Sequence, residues 1–325
     1  MKNSFLETKK CDELLSEYRA AGKKQKGKLL SFDIKNYFGS DVTVYNPTKP
    51  ISDKSGRFLL ARVEPRASEK SKVVFFKEQD KKWKISNHPI FDLQDPFYVQ
   101  NIQGWQIFGG VKTYEKENGR VDFQTVFYKY KKCSTELVRK DGILSVPFAK
   151  SPIGMKDIRL IELLSGKIAV FTRPMGGEAG LGKIAYIEID SLSDLQKAIP
   201  KAKIIDNLFC ENEWGGANDL YLLRNGKIGV LGHIAQFKGK IKNYYAVSFV
   251  FDPKTKNVSG VNILTTVNDF PRVKSKRKDL AKIIFSGGME RNADGTASLY
   301  VGIGDMNAGQ IKITDPFLNF EKMGT

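Results

Sequence analysis

Arg173 and Lys183 stand at either end of a glycine-rich stretch, RPMGGEAGLGK, whose residue types suit holding an anion. Within it Gly177, Gly182 and Lys183 fit the phosphate-cradling spacing G-x-x-x-x-G-K. A nucleotide P-loop also needs a Ser or Thr next, for magnesium, and then a helix. Ile184 occupies that position, and the IAYIEID that follows alternates like a strand. The stretch therefore reads as a glycine hairpin carrying two cations. Taken alone it would be an ordinary charged surface turn.

It is not alone. Five turn-then-strand units superpose on a glycine: Ser55-Gly56 before RFLLARVEP, Gln103-Gly104 before WQIFGGV, Ser165-Gly166 before KIAVFTRP, Asn225-Gly226 before KIGVLGHI, and Asp294-Gly295 before TASLYVGIGD. Each joins hairpin turn chemistry to an apolar strand. The glycines lie 48, 62, 60 and 69 residues apart, somewhat longer than the ~40–50 residues of familiar propeller repeats. About seven to nine residues before them come Gln94 and Asp95, Asp157 and Arg159, and Asn218 and Asp219; six or seven after come Arg62, Gly110, Arg173, His233 and Gly302. Five multi-stranded units with almost no helix between them predict an all-β chain, a five-bladed β-propeller. A β-sandwich is the alternative, but it would not so readily repeat one polar payload at one offset. Hairpin partners at matched distances from a turn end side by side, and radial repetition brings them to one end of a central channel. The expected pocket is lined by Arg62, Asp95, Arg159, Arg173, His233 and Asp305. The plainer possibility is that such residues only hydrogen-bond the blades together.

One carboxylate among several cations restricts the chemistry. An inverting glycosidase uses two carboxylates, an acid and a base that activates water. A phosphorylase needs only the acid, because phosphate is already an anionic nucleophile and must instead be held by cations. Asp95 as the acid, with Arg159, Arg173, Lys183 and His233 as the phosphate cradle, fits that requirement. Asp305 and Arg62 remain for sugar hydroxyls. On this reading Arg173→Ala raises the phosphate requirement while leaving the fold intact.

The rest of the chain excludes other classes. The formal net charge is +17, but the lysines are spread, with short clusters at Lys23 to Lys28 and Lys274 to Lys278 and no recognition motif, so nucleic acid is not the expected partner. Cys11, Cys133 and Cys210 have no metal spacing and form no even disulfide set, and there are two histidines, so neither a metal nor a disulfide framework is expected and a reducing cytoplasm is. No apolar run approaches the ~18 residues of a membrane span, and the first fifteen residues lack the apolar core of a signal peptide. Residues 1–30 read as a helix, on Leu6, Leu14, Leu15 and Tyr18, followed by a basic linker; 31–325 is the catalytic propeller domain.

Several motifs in order carry a resemblance. Asp95-Pro96-Phe97, the Arg-Pro-x-Gly-Gly segment from Arg173 to Gly177, Trp214-Gly215-Gly216-Ala217-Asn218, Gly232-His233 and Gly302-Ile303-Gly304-Asp305 resemble the mannosyltransferase/phosphorylase family of glycosyltransferases. That family was long catalogued as a domain of unknown function and is distantly related to the mannoside phosphorylases of glycoside hydrolase family 130. The resemblance runs from about Ser31 to the C-terminus. It implies a five-bladed propeller acting on β-1,2-linked mannosides with inversion, either exchanging oligomannoside and phosphate for α-mannose 1-phosphate or transferring mannose from GDP-mannose.

By position, the resemblance implies that Asp95 is the acid of phosphorolysis and base of synthesis, its proton passing through a sugar hydroxyl. Arg159, Arg173 and His233 would hold phosphate, with Lys183 supported mainly by its glycine loop. Asp305 and Asn218 would contact sugar; beside the resemblance, Arg62, Gln94 and Asp219 complete the expected substrate-binding set. The Glu-Asp-Pro-Arg motif of the mannoside phosphorylases reads Gln94-Asp95-Pro96-Phe97 here, which keeps the acid and alters its flanks. Inorganic phosphate is the co-substrate and no cofactor is expected; the partners are a mannose oligosaccharide and phosphate or mannose 1-phosphate. Two other classes stay open: a glycan-binding propeller without turnover, and a hydrolase drawing its base from Glu64, Glu178 or Asp219.

Overall fold

The computed structural model describes residues 8–22, 25–34, 38, 41–66, 68–119, 121–131 and 146–322. Leu6, Lys23, Lys24 and Cys133 lie outside the described residues. The structure is mostly β. A helix, α1 (Cys11–Ala20), precedes strands β1 (Lys28–Leu29) and β2 (Phe32–Asp33). Glu13 accepts the Lys10 N–H at 3.0 Å, which satisfies one orphan donor at the helix start. Cys11, Leu14 and Leu15 share the buried face at i, i+3, i+4 spacing and pack on Ile234, Tyr245, Val247 and Ile263.

Antiparallel meanders follow. The first comprises β3 (Val42–Tyr45), β4 (Ile51–Asp53), β5 (Gly56–Pro65), β6 (Lys72–Gln79) and β7 (Lys82–Ile85). Next come β8 (Gln94–Ile102), β9 (Trp105–Glu115), β10 (Val121–Lys131) and β11 (Ala149–Lys150), then β12 (Arg159–Glu162), β13 (Ile168–Thr172), β14 (Ala185–Ile189) and β15 (Lys203–Ile204). A short helix, α2 (Leu195–Ala198), lies within that last connection. The remaining strands are β16 (Glu213–Leu222), β17 (Ile228–Lys238), β18 (Ile241–Phe251), β19 (Val258–Thr265), β20 (Lys282–Arg291), β21 (Thr296–Ile303) and β22 (Asn307–Thr314). A short parallel pairing of β18 with β20 merges these into one sheet. Neighbouring meanders touch in a closed circuit: β5 with β8, β8 with β12, β12 with β16, β16 with β20, and β21 and β22 with β3.

All five glycines of the sequence repeat sit in the hairpin leading into the second long strand of each meander. That strand is β5, β9, β13, β17 or β21. It is buried on both faces over most of its length because sheets stack against it from either side, so it reads as a continuous apolar run. The repeat was visible for this reason. Phe97, Ile107 and Phe127 pack against Ile158, Leu160 and Val170 across one interface; Phe171 meets Phe251 edge-on at 5.4 Å across the next. Each such side chain contributes about 1.5–3 kcal/mol by leaving water.

The segment after α1 is more than a linker. Lys28 and Leu29 pair antiparallel with Gln310 and Gly309, and Phe32 and Asp33 pair parallel with Trp83 and Lys84. The boundary expected at residue 30 therefore falls between two strands that join the first and last meanders. The chain's start completes the sheet of its end.

Candidate active site

Counting back nine or ten positions from the hairpin glycines gives Asn46, Asp95, Asp157, Ala217 and Ser286. Each lies at a break in regular strand geometry. Asn46, Asp95 and Asp157 have φ of 48°, 45° and 55°, and bulges fall between Ala217 and Asp219 and between Ser286 and Gly288. Asn and Asp are the residues that best tolerate a left-handed backbone, and bulges re-aim side chains. The breaks bring polar groups together: Asn46 Nδ2 donates to Asp95 Oδ1 at 2.7 Å, and Ser286 Oγ donates at 3.1 Å to the Oδ1 of Asn218, which sits in the bulge after Ala217.

Asp95 is nearly buried, its side chain 12% exposed. Arg62 Nη1 donates to the same Oδ1 at 3.3 Å, and Oδ2 has no hydrogen-bond partner among the described residues. Arg62 is anchored by Glu64, whose Oε2 accepts from its Nε at 3.1 Å and Nη2 at 2.5 Å, and lies over the Tyr45 ring at 4.9 Å. Asp305, also left-handed at φ 52°, has its carboxyl raised above the usual range by burial, with Asp95 adding to the rise and Arg62 opposing it. Two carboxylates thus share the field of one arginine.

The cations form the other half. Arg173 Nη1 donates to Asp157 Oδ2 at 2.9 Å and Nη2 to Leu181 O at 3.1 Å, while its buried Nε has no partner. Gly182 makes this possible, because a Cβ there would lie 2.5 Å from Arg173 Nε. The glycine-rich stretch is a loop that packs its backbone over an arginine, and it leads into β14 and no helix, so the P-loop reading is excluded. Arg159 Nε donates to Asn218 O at 2.6 Å, Nη1 to Ile158 O at 2.9 Å, and the guanidinium lies 4.8 Å from the Phe97 ring. His233 pairs through Nδ1 with Asn218 Oδ1 at 2.8 Å and stacks on Tyr244 at 5.3 Å. Burial is balanced at Asp157: it raises the carboxyl, but Arg173 first and then His233 pull it below its ordinary range. Arg159 ties the two halves together: its guanidinium lies on the ring of Phe97, two residues from Asp95, and Asp95 is among the charges that act on it.

Other expected residues lie elsewhere. Gln94 turns its amide to Glu69 O at 3.2 Å. Asp219 is taken by Lys49 at 2.8 Å and by Tyr221, beside a polar cavity of about 10 Å³ lined by Lys49, Arg159 and Asn218, roughly the space of one water. Lys183 is half-buried and makes no ion pair among the described residues. The hydrolase bases fare poorly: Glu64 is locked by Arg62, Glu178 is exposed on the glycine loop and Asp219 is paired. The expectation that Arg173 could be removed with the fold intact is corrected. It is 3% exposed and neutralises an equally buried Asp157, so its loss strands a charge. Sequence reading missed Asn46 and Ser286, which the shared glycine offset could have found, and saw Lys276 only as a member of a basic cluster. Among the described residues no cluster of His, Cys, Asp and Glu could hold a metal ion, and no helix is long and apolar enough to cross a membrane.

His233 gives a test of this packing. Burial pushes its imidazole down to about 3; Asp157 pulls it back up, and Arg173 adds a smaller push down. A neutral ring has one donor and one acceptor nitrogen. The unfolded chain binds a proton near pH 6.5 that the folded one refuses, so this contribution is fully present above about pH 6.5 and lost as pH falls towards 3. Urea midpoints are expected to fall between those limits in the parent and to fall less steeply in His233→Gln. Parallel pH curves would show that His233 titrates normally.

Solved structures complete the site's context. A mannose phosphorylase from Leishmania mexicana, MPT-4, in complex with a phosphate ion, is 29% identical with a TM-score of 0.82, over 95% of this chain and 94% of that one. A GDP-Man-dependent mannosyltransferase from the same organism, MPT-1, is 31% identical with a TM-score of 0.82, over 95% and 96%. β-1,2-Mannobiose phosphorylase from Listeria innocua shares the fold at 11% identity and a TM-score of 0.54, over 88% and 94%, and so does a structure of the GH130 family at 14% identity and a TM-score of 0.53, over 84% and 87%. No curated protein sequence matches the chain. Fold, site and neighbours define an enzyme of the glycoside phosphorylase and glycosyltransferase class. The chain belongs to the family described as "Protein of unknown function (DUF1861)", whose model matches residues 19–319.

Proposed function

We propose that the protein is an inverting β-1,2-mannoside phosphorylase built on a five-bladed β-propeller, each meander being one blade. The catalytic unit is residues 31–325 together with the closing strand Lys28–Leu29. The observation that carries this reading is a buried group of two arginines, Arg159 and Arg173, with a neutral His233. Arg159 lies on the ring of Phe97, two residues from Asp95, whose Oδ1 is held twice and whose Oδ2 has no partner among the described residues. Phosphate, held by Arg159, Arg173 and His233, attacks the anomeric carbon; the glycosidic C–O bond breaks, and the leaving oxygen receives a proton that originates on Asp95 and passes through a sugar hydroxyl. α-Mannose 1-phosphate leaves, and the reverse reaction returns the proton to Asp95. Asp305, Asn218 and Arg62 serve sugar hydroxyls, and Lys183 is the fourth donor to the anion. No metal or organic cofactor takes part. The free thiols of Cys11 and Cys210 support a reducing, cytoplasmic setting.

A second reading, mannosyl transfer from GDP-mannose, is favoured by the 31% identity to MPT-1. One assay separates them. Incubation with mannose and either α-mannose 1-phosphate or GDP-mannose is followed for phosphate or GDP release, and the product linkage is read by NMR. Phosphate release with a β-1,2 product is expected. GDP release alone would make the protein the transferase, and neither release would leave a glycan-binding propeller.

A further inference from the structure

The basic cluster Lys274 to Lys278 has no place in the mechanism so far. It lies on the connection between β19 and β20 and packs on the turn that carries Asp305. Lys276 N–H donates to Gly304 O at 2.9 Å, and Asn307 Nδ2 donates to Lys274 O at 2.9 Å. From this seat the Lys276 ammonium reaches back to the first meander. It donates to Glu64, to Ser68 O at 3.0 Å and to Glu69 Oε1 at 2.9 Å.

Glu64 is fully buried. Besides Lys276, its Oε1 accepts from Tyr45 Oη at 2.9 Å, and its Oε2 takes Arg62 and Ser71. Burial alone would neutralise such a carboxyl, yet Arg62 and the bond from Lys276 hold it below its ordinary range, so it stays charged. Lys276, Glu64, Arg62 and Asp95 therefore form a line of alternating charges that begins on the β19–β20 connection and ends at the acid. Glu64 and Ser71 take the Nε and Nη2 of Arg62, which leaves Nη1 as the arm that reaches Asp95. A lysine could not be held by two nitrogens and present a third in a fixed direction.

We propose that Glu64 and Lys276 are positioning residues that control proton transfer at Asp95 through Arg62. The inference rests on Asp95 being the acid of phosphorolysis. Glu64 offsets the Arg62 charge; without that offset the full charge bears on Asp95 and favours its ionised form. Removing Lys276 instead leaves Glu64 less compensated and favours the protonated form. Asp305 and Arg159 also act on Asp95, Tyr45 lies under Arg62, and Glu69 and Arg277 flank Lys276 at the outer end. Neither variant substitutes any of these, though Lys276→Met releases Glu69, which also lies 3.5 Å from Arg62 Nη2, and Glu64→Gln alters the acceptor of Tyr45. The opposite signs of the two shifts therefore report the line itself.

The test is the pH profile of kcat for phosphorolysis in the parent, Glu64→Gln and Lys276→Met, with thermal melts and the KM for phosphate measured alongside. The high-pH limb, where the acid loses its proton, is expected to move down by about one pH unit in Glu64→Gln and up by a smaller amount in Lys276→Met, as opposite charge changes along one line of ion pairs require. An unmoved limb in both, even with lower turnover, would make the pair a structural clamp and overturn the proposal; so would shifts of the same sign. If Glu64→Gln does not fold, Lys276→Met decides alone, and its limb must rise. Asp95→Asn separates the two levels. If it keeps its turnover, the reading of Asp95 fails whatever the limb does; if it is inactive while the limb stays still in both variants, only the role of Glu64 and Lys276 fails.

Discussion

Asp95→Asn is expected to lose at least about 10²–10⁴-fold of turnover in phosphorolysis and in synthesis alike, the range general acid–base catalysis supplies. Microscopic reversibility makes the acid of cleavage the base of synthesis. The geometry makes this substitution a clean one. Asparagine tolerates the left-handed backbone that φ 45° imposes, whereas alanine would add backbone strain of its own. The amide oxygen can keep the bonds that Asn46 and Arg62 make to Oδ1, and Nδ2 replaces the free Oδ2, which alone is left to carry a proton. Mannoside binding and the thermal melt should match the parent. Near-normal turnover in either direction would remove Asp95 as the acid and leave the phosphorylase reading on family likeness.

The largest stability effect is expected at Arg173. Arg173→Ala should cost about 3–5 kcal/mol, the usual penalty for leaving one member of a buried ion pair alone, because both side chains are only 3% exposed. The KM for phosphate should rise strongly in whatever protein still folds. Adding Asp157→Asn removes the stranded charge and suits that residue's φ of 55°, so the double variant should recover part of the loss. Urea unfolding of the parent, the two singles and the double measures the coupling. A single Arg173→Ala variant as stable as the parent would mean that water reaches Asp157 in solution.

The sequence revealed what is periodic and hid what is not. The doubly buried second strands, each after a glycine turn, stand out because burial on both faces removes polar residues from them. Asp95, Asp157 and Asn218 were legible through their distance from those glycines. Asn46 and Ser286 occupy the same place and were passed over, the first because β3 and β4 divide the strand before its turn, the second because a serine suggests no chemistry. Asp157 drew notice as part of the repeat but not as the partner that fixes Arg173. Glu64 could be suspected only as a base; its bond to Arg62 is local, two residues along one strand face, but that to Lys276, 212 residues away, depends on a chain crossing that no local pattern encodes. Lys183 had the reverse fate: its glycine spacing was conspicuous, and Gly182 turns out to make room for Arg173.

The pairing of Lys28 with Gln310 also sets a timetable for biosynthesis. Strand β1 emerges early from the ribosome, yet its partner follows 282 residues later (310 − 28). At about 5–20 residues per second that is roughly 14–56 s of waiting. Until then every completed sheet is part of an open arc with an apolar flank, and afterwards the arriving β22 is itself an unpaired edge until β1 covers it, the kind of edge that recruits other chains. The first meander also waits for its last neighbour, since β3 meets β21 and β22 only at closure. A nascent chain of this design cannot finish folding until β21 and β22 appear, and the arc must stay out of contact with other chains until they do.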